Sequence, residues 1–418
     1  MSPDAKDKEQ LKSRRPANTA FKQQRLKAWQ PILTPKSVLP AFIIIGILFA
    51  PLGGLLLWAS DTVAEIVIDY TNCDKAGTNY VQVPSDLFSS NFPGSSGDGN
   101  PPEFKAIPAV GTFNNATWPT MRCTIKFDVP VTMKHPVFMY YRLTDFYQNH
   151  RRYIKSLDLK QLAGEPRTAM ELRGGGCEPM ATVTEGELRF PIYPCGLIAN
   201  SIFNDTLDIT LSPFNSPDLK PYNMTDKGIA WTVDQTKYLP QQHPDLSQIR
   251  PPPNWEKKYP NGYTTSNPPI DISKDEHFQV WMRASGLPNF RKMYAKNEKE
   301  DLPAGTYTID IDMNYNMTVN GGTKSVVLST VSFMGGRNPF LGIAYIVVGV
   351  LCFFLGLLFT ARHLYKPRRL GDHTYLSWNQ NQSPQHQRND TDASGGAGSE
   401  TEPEDLPTAT ASGASARY

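Results

Sequence analysis

The chain of 418 residues has little of what marks an enzyme or a nucleic-acid binder. Its 42 Lys and Arg stand against 40 Asp and Glu. A net charge of +2 supplies no global field to gather nucleic acid. It has no His-Glu-x-x-His run, no paired Cys-x-x-Cys and no Gly-x-Ser-x-Gly, so zinc and hydrolase chemistry lack their scaffolding. "GGTKS" (Gly321–Ser325) echoes a phosphate-binding loop without the required G-x-x-x-x-G-K-[ST] spacing, and it joins two strand-like stretches where that motif needs a strand and then a helix. No catalytic, cofactor or metal site is expected. Charged residues are only 20%, whereas there are 36 prolines and 30 glycines, which suits a β-rich, loop-rich body better than a helical bundle. A mean hydropathy of −0.41 leaves most of the chain in water.

Against that background two runs stand out, "VLPAFIIIGILFAPLGGLLLWA" (Val38–Ala59) and "FLGIAYIVVGVLCFFLGLLFTA" (Phe340–Ala361). Neither carries a charge. As helices of about 22 residues they reach roughly 33 Å, enough for a hydrocarbon core of roughly 30 Å. The first does not read as a cleaved signal: it starts deep in the chain, its apolar run is long, and no small-x-small site follows. Lys22, Arg25, Lys27 and Lys36 precede it, and Arg362, Lys366, Arg368 and Arg369 follow the second run. From Ser60 to Asp74 there are only acids: Asp61, Glu65, Asp69 and Asp74. The positive-inside rule then places both ends in the cytosol. The expected organisation is a cytosolic tail 1–37, a span 38–59, an exoplasmic or luminal domain 60–338, a span 340–361 and a disordered cytosolic tail 362–418.

Four of the five cysteines, Cys73, Cys123, Cys177 and Cys195, fall in the long loop, as expected of disulfides in an oxidising compartment. Three pairings are open; the sequential one, Cys73–Cys123 with Cys177–Cys195, closes local loops and is favoured. The loop also holds four glycosylation sequons, at Asn115, Asn204, Asn223 and Asn316. "MYYRLTDFYQNHRRYIKS" (Met139–Ser156) sets Tyr140, Tyr141, Phe146, Tyr147 and Tyr153 among Arg142, His150, Arg151, Arg152 and Lys155. In a cytosolic protein that mixture would suggest a nucleic-acid platform. On the far side of a membrane it does not, and no nucleic-acid partner is expected.

Strand patterns recur along the loop: "EIVIDYTNC", "CTIKFDVPV", "VFMYYRL", "ELRFPIYP", "TLDITL" and "KSVVLSTVSF". In "AGTYTIDIDMNYN", Tyr307, Ile309, Ile311 and Met313 face one way, and Asp310 and Asp312 face solvent. Asn320–Lys324 reads as a hairpin turn. Helix is expected at Asp275–Ser285 and again in "FRKMYAKN" after Pro288. Ser89–Pro102 reads as loop, and the Pro-rich run Tyr238–Pro260 as a surface wrap. The fold expected is two transmembrane α-helices plus a large, mainly antiparallel, β-sandwich-like domain with a few short helices. The spans lack the ionisable groups a transporter needs. They do carry Gly46, Gly53, Gly54, Gly342, Gly349 and Gly356, where another helix could approach, within the chain or from a larger membrane protein. Pro40 and Pro51 should kink the first span. Phe21, Leu26 and Trp29 alternate with basic residues before the first span, as in a segment lying at the headgroups or docked on a partner.

The stretches "NTAFKQQRL", "AWQPIL", "FYQNHRRY", "CGLIANSIFNDT", "VWMRASGLPNFRK", "LPAGTY" and "STVSFMGGRNPFLGIAY" closely resemble signatures of the Cdc50/Lem3 family, the β-subunits of type-IV P-type ATPases that flip phospholipids. The resemblance implies a non-catalytic subunit in a heterodimer with the ATPase α-subunit. It also implies help in leaving the endoplasmic reticulum toward Golgi, endosome or plasma membrane, and support of the pump's phosphorylated states. Contact with phospholipid would be indirect, N-linked glycans would be carried, and no cofactor is implied. Phe21, Arg25 and Trp29 would meet the partner at its cytosolic face, and Arg151 and Arg152 its exoplasmic loops. A freestanding receptor or adhesion ectodomain on two spans is the competing reading.

Overall fold

The computed structural model describes residues 17–28, 33–95, 99–240, 245–317 and 321–367. The chain divides into two compact units, Pro40–Gly356 and a smaller one made of the two ends. In the smaller unit, turns over 19–24 are closed by the Gln23 amide on the Thr19 carbonyl (3.0 Å), and the Arg25 guanidinium donates to Asn18 Oδ1.

In chain order, helix α1 (Pro35–Asp61) is followed by β1 (Glu65–Asp69), β2 (Val81–Gln82) and β3 (Phe88–Asn91). The long hairpin β4 (Glu103–Phe113) and β5 (Ala116–Val129) comes next, then β6 (Val137–Leu143). Short helices α2 (Arg151–Lys155), α3 (Leu159–Leu162) and α4 (Ala169–Arg173) precede the small hairpin β7 (Thr182–Glu185) and β8 (Leu188–Pro191). Next come α5 (Leu197–Asn200), β9 (Thr206–Leu207), β10 (Thr210–Pro213), β11 (Tyr222–Asn223), α6 (Thr232–Gln235) and α7 (Glu276–Met282). Strands β12 (Phe290–Asn297), β13 (Gly305–Met313) and β14 (Lys324–Ser329) lead into α8 (Pro339–Tyr365).

Two antiparallel sheets share one core. The first runs β12-β6-β14-β1-β3; the second runs β11-β10-β13-β5-β4-β2, with β9 also on β13. Alternation along the strands sends Ile66, Ile68, Met139, Tyr141, Val326 and Leu328 from one sheet, and Ile125, Phe127, Tyr307, Ile309 and Ile311 from the other, into that core. The expected sandwich-like domain is therefore present.

One buried polar cluster links the sheets. Lys324, at the start of the central strand β14, places Nζ 2.6 Å from Asp205 Oδ2, with both side chains sealed from solvent. Asp205 also accepts from the Tyr70 hydroxyl (3.0 Å) and from the amides of Asn314 (2.5 Å) and Tyr315 (2.6 Å). Four donors converge on one carboxylate, which is what allows a charge to sit there. Burial, and then the Asp205 charge, raise the Tyr70 hydroxyl pKa well above its ordinary value, so it stays a donor.

Several expectations change. "FRKMYAKN" is not helix but strand β12, antiparallel to β6 from Phe290–Leu143 to Asn297–Val137 with a shift of register between Met293 and Ala295. Its residues favour helix locally, and the free edge of β6 overrides them. The turn before Lys324 does not close a hairpin: β13 and β14 lie in different sheets, so it crosses between layers. Gly321 has φ +71°, while Asn320 lies outside the described residues. The Pro-rich run is irregular, with 3-10 turns at Leu246–Gln248 and Pro253–Trp255, yet it does more than wrap: Ile249, Trp255 and Tyr259 are buried in the main core. Ser89–Pro102 begins inside β3 and buries Phe92. Asp310 and Asp312 are not simply solvated. They accept from Thr124 Oγ1 (2.7 Å) and Arg122 Nε (2.7 Å) on the neighbouring β5.

Candidate partner interface

Helices α1 and α8 are each long and apolar enough to cross a bilayer. Within Pro40–Gly356 they meet at their glycines. A Cβ on Gly46 would lie 2.8 Å from Phe353 Cβ, one on Gly53 2.8 Å from the Gly342 carbonyl, and one on Gly349 2.7 Å from the Ala50 amide. Gly342 and Gly356 are crowded in the same way by Leu57 and Ile43. These backbones touch only because no side chain intervenes. Ser60 Oγ accepts from the Asn338 amide (3.0 Å) and fastens the end of α1 to the start of α8. Gly54 meets nothing within 4 Å. Five of the six glycines are thus consumed inside the chain, and Ile47, Leu48, Trp58, Val347, Phe354 and Leu358 point outward.

The aromatic–basic stretch is divided by its backbone. On β6, alternation buries Met139, Tyr141 and Leu143 and turns Phe138, Tyr140 and Arg142 to the other face. Tyr141 stacks flat on Phe203 at 3.9 Å, and burial holds its hydroxyl pKa well up. Phe146 and Tyr153 pack edge-on at 5.9 Å, and Phe146 also meets Trp281. The Tyr153 hydroxyl shares a hydrogen bond with Ser201 Oγ (2.8 Å); burial pushes its pKa to about 12, with that bond working the other way. Tyr140 lies under the Arg291 guanidinium, which is paired to Glu65 at 2.7 Å.

The cations point out. His150 caps α2, its Nδ1 accepting from the Arg152 amide at 3.3 Å. Arg142, Arg151, Arg152 and Lys155 are exposed, and among the described residues none of them forms an ion pair. The loop before β12 is tied to this stretch: the Ser285 amide donates to Gln148 Oε1 (2.9 Å), Asn149 Nδ2 to the Gly286 carbonyl (3.1 Å) and the Phe146 amide to the Pro288 carbonyl (3.1 Å). That brings exposed Leu287 (68%) near exposed Tyr147 (58%). Leu287 was missed from sequence, although an apolar residue between Gly286 and Pro288 is bound to sit at a turn. Behind it, Lys292 Nζ is buried and donates to the carbonyls of Val280 (2.9 Å), Trp281 (3.1 Å) and Arg283 (2.5 Å) at the end of α7. Burial, then the Arg283 charge, pulls its pKa down to about 7.

The remaining expected residues are placed as follows. Cys73 is bonded to Cys123 and Cys177 to Cys195, with Cα separations of 6.0 and 5.7 Å. Asn115, Asn223 and Asn316 are exposed, whereas Asn204 is half-buried. Phe21 and Arg25 are exposed in the smaller unit, and Trp29 lies outside the described residues. Phe21 and Arg25 lie in a different unit from Arg151 and Arg152. Among the described residues no three His, Cys, Asp or Glu side chains converge as a metal would require.

Residues 56–369 match the LEM3 (ligand-effect modulator 3)/CDC50 family. The phospholipid-transporting ATPase accessory subunit CRF1 of Saccharomyces cerevisiae is 42% identical over 91% of this chain and 94% of its own length. The accessory subunit CDC50 of Chaetomium thermophilum is 38% identical over 92% and 96%, and ALA-interacting subunit 3 of Arabidopsis thaliana 39% over 88% and 92%. With the family matched over most of the chain and relatives near 40% identity aligned almost end to end, the chain belongs to the LEM3/CDC50 family.

Proposed function

We propose that the chain is the non-catalytic accessory subunit of a phospholipid-transporting ATPase. The carrying observation is that similarity to proteins named as such accessory subunits spans about nine-tenths of this chain and of theirs. The helix pair supports it: two apolar helices are packed glycine to glycine, and neither 38–59 nor 340–361 carries an Asp, Glu, Lys, Arg or His to bind cargo. In this reading both tails (1–37 and 362–418) are cytosolic, 38–59 and 340–361 span the bilayer, and 60–338 is exoplasmic, with sugar on its sequons. The outward apolar faces of α1 and α8 meet the pump's membrane helices. Arg151 and Arg152, with Tyr147 and Leu287, meet acidic exoplasmic loops. Phe21, Arg25 and Trp29 lie along the pump's cytosolic face. The finer role is escort out of the endoplasmic reticulum and support of the phosphorylated states while aminophospholipid moves to the cytosolic leaflet.

The deciding experiment is mild-detergent purification of the tagged chain from its own cells, followed by mass spectrometry. A P-type ATPase in near-equal amount is expected. Its absence, together with normal delivery and turnover of every such ATPase in cells lacking this chain, overturns the reading.

A further inference from the structure

One cleft of the ectodomain serves neither the ion pair nor the cationic patch. It lies beside Asn204 and is walled by Phe113, Trp118 and Trp255. The aromatic walls are fixed. Trp118 lies over Gly111, where a Cβ would come within 2.6 Å of its indole nitrogen, and that nitrogen donates to Asn314 Oδ1 at 2.8 Å. Trp255 Nε1 donates to the Ala199 carbonyl at 3.0 Å. With both indole N–H groups committed, the rings offer apolar surface to whatever enters. Asn254 adds a polar group to the lining, and the Lys258 ammonium lies over the Phe113 ring at 5.2 Å. Rigid aromatic walls with a few polar groups suit a ligand with one C–H face and several hydroxyls.

Asn204 is rigid too, set between core Phe203 and the buried Asp205. Its Oδ1 is buried without a hydrogen-bond partner, a costly state unless something supplies a donor. It heads the sequon Asn204-Asp205-Thr206, and of the four sequon asparagines it alone is not fully exposed.

We propose that Asn204 carries an N-linked glycan whose first N-acetylhexosamine is seated in this cleft as part of the folded ectodomain, while sugars on Asn115, Asn223 and Asn316 project into solvent. The sugar's C–H face lies on the aromatic walls, and its acetamido and hydroxyl groups serve the buried amide oxygen and the polar lining. The bond precedes folding. Nδ2 takes the anomeric carbon of a lipid-diphosphate-linked oligosaccharide, the lipid diphosphate leaves, and the amide gives up one proton. The inference rests on the exoplasmic placement proposed above.

The test uses the full chain purified in detergent from a glycosylating host. Glycopeptide mass spectrometry reads occupancy, and native digestion with peptide-N-glycosidase reads release at each site. Asn204 should be occupied and released at least about tenfold more slowly than the other three, the factor that about 1.4 kcal/mol of protection supplies. Trp118→Leu should abolish that difference, and Asn204→Gln should lower Tm where Asn115→Gln does not. Sugar on the other three with Asn204 bare, or released as fast as they are, overturns this inference alone. Protection that survives Trp118→Leu overturns the aromatic seat. If all four are bare, the exoplasmic placement falls with it.

Discussion

Replacing Asp205 with Ala tests the internal logic of the fold most directly. The substitution leaves Lys324 Nζ sealed from solvent with the Tyr315 carbonyl (2.8 Å) as its remaining hydrogen-bond acceptor and the Tyr70 ring 5.2 Å away. It also orphans the Tyr70 hydroxyl and the amides of Asn314 and Tyr315. Breaking one side of a buried ion pair costs about 3–5 kcal/mol. That is a large share of the roughly 5–15 kcal/mol that keeps a domain folded. At about 2–4 °C per kcal/mol for a domain of this order of size, the thermal midpoint should fall by about 6–20 °C. The sequon survives, because Asn204 and Thr206 are untouched. The assay is tryptophan-fluorescence unfolding of the detergent-purified full chain, run as a double-mutant cycle. Lys324→Met alone strips the carboxylate of its counter-charge and should also destabilise, whereas Asp205→Ala with Lys324→Met should recover part of the loss. A fall of less than about 2 °C for Asp205→Ala, or strictly additive effects, would refute the reasoning, since neither fits a charge held in place by its partner.

Four further outcomes are expected. Gly349→Leu drives a side chain into the Ala50 backbone and should destabilise the helix pair by about 1–3 kcal/mol in detergent unfolding, whereas Gly54→Leu should leave it unchanged. Arg151→Glu with Arg152→Glu changes exposed residues, so the thermal midpoint should hold while the yield of co-purified ATPase drops; equal yield would remove these arginines from the interface. Loss of Cys73–Cys123, which closes 50 residues, should cost about 4 kcal/mol, against about 3 kcal/mol for Cys177–Cys195, which closes 18. Lys292 has a folded-state pKa of about 7, lowered from 10.5. The unfolded chain therefore binds more protons between those values, and stability rises with pH across that window. Wild type should gain on Lys292→Met from pH 7 upward, and a difference that does not change with pH would show that the three carbonyls keep the ammonium charged.

How much was legible depended on the range of the forces. Periodicity identified β1, β6, β13 and β14, because a strand with one face in a core writes its alternation into consecutive residues. It misassigned β12, whose Arg291, Lys292 and Met293 suit a helix until β6 offers an edge. The Asn-Gly signal before Lys324 could not say which sheet the chain would rejoin. The aromatic–basic stretch could be recognised as composition, not as geometry. That Tyr141 and Tyr153 turn inward while Arg151 and Arg152 stay free follows from strand pairing and from the cap at His150.

Length and apolar continuity are local properties, so the two spans, their flanking charges and the disulfide-bearing loop between them were determined by sequence alone. The family motifs were equally local. Which groups meet across more than a hundred residues was not written in any one stretch. Lys324 finds Asp205, and so does the Tyr70 hydroxyl. Those meetings depend on two sheets closing over one core, where a buried charge or amide must find whatever partner the packing brings within reach.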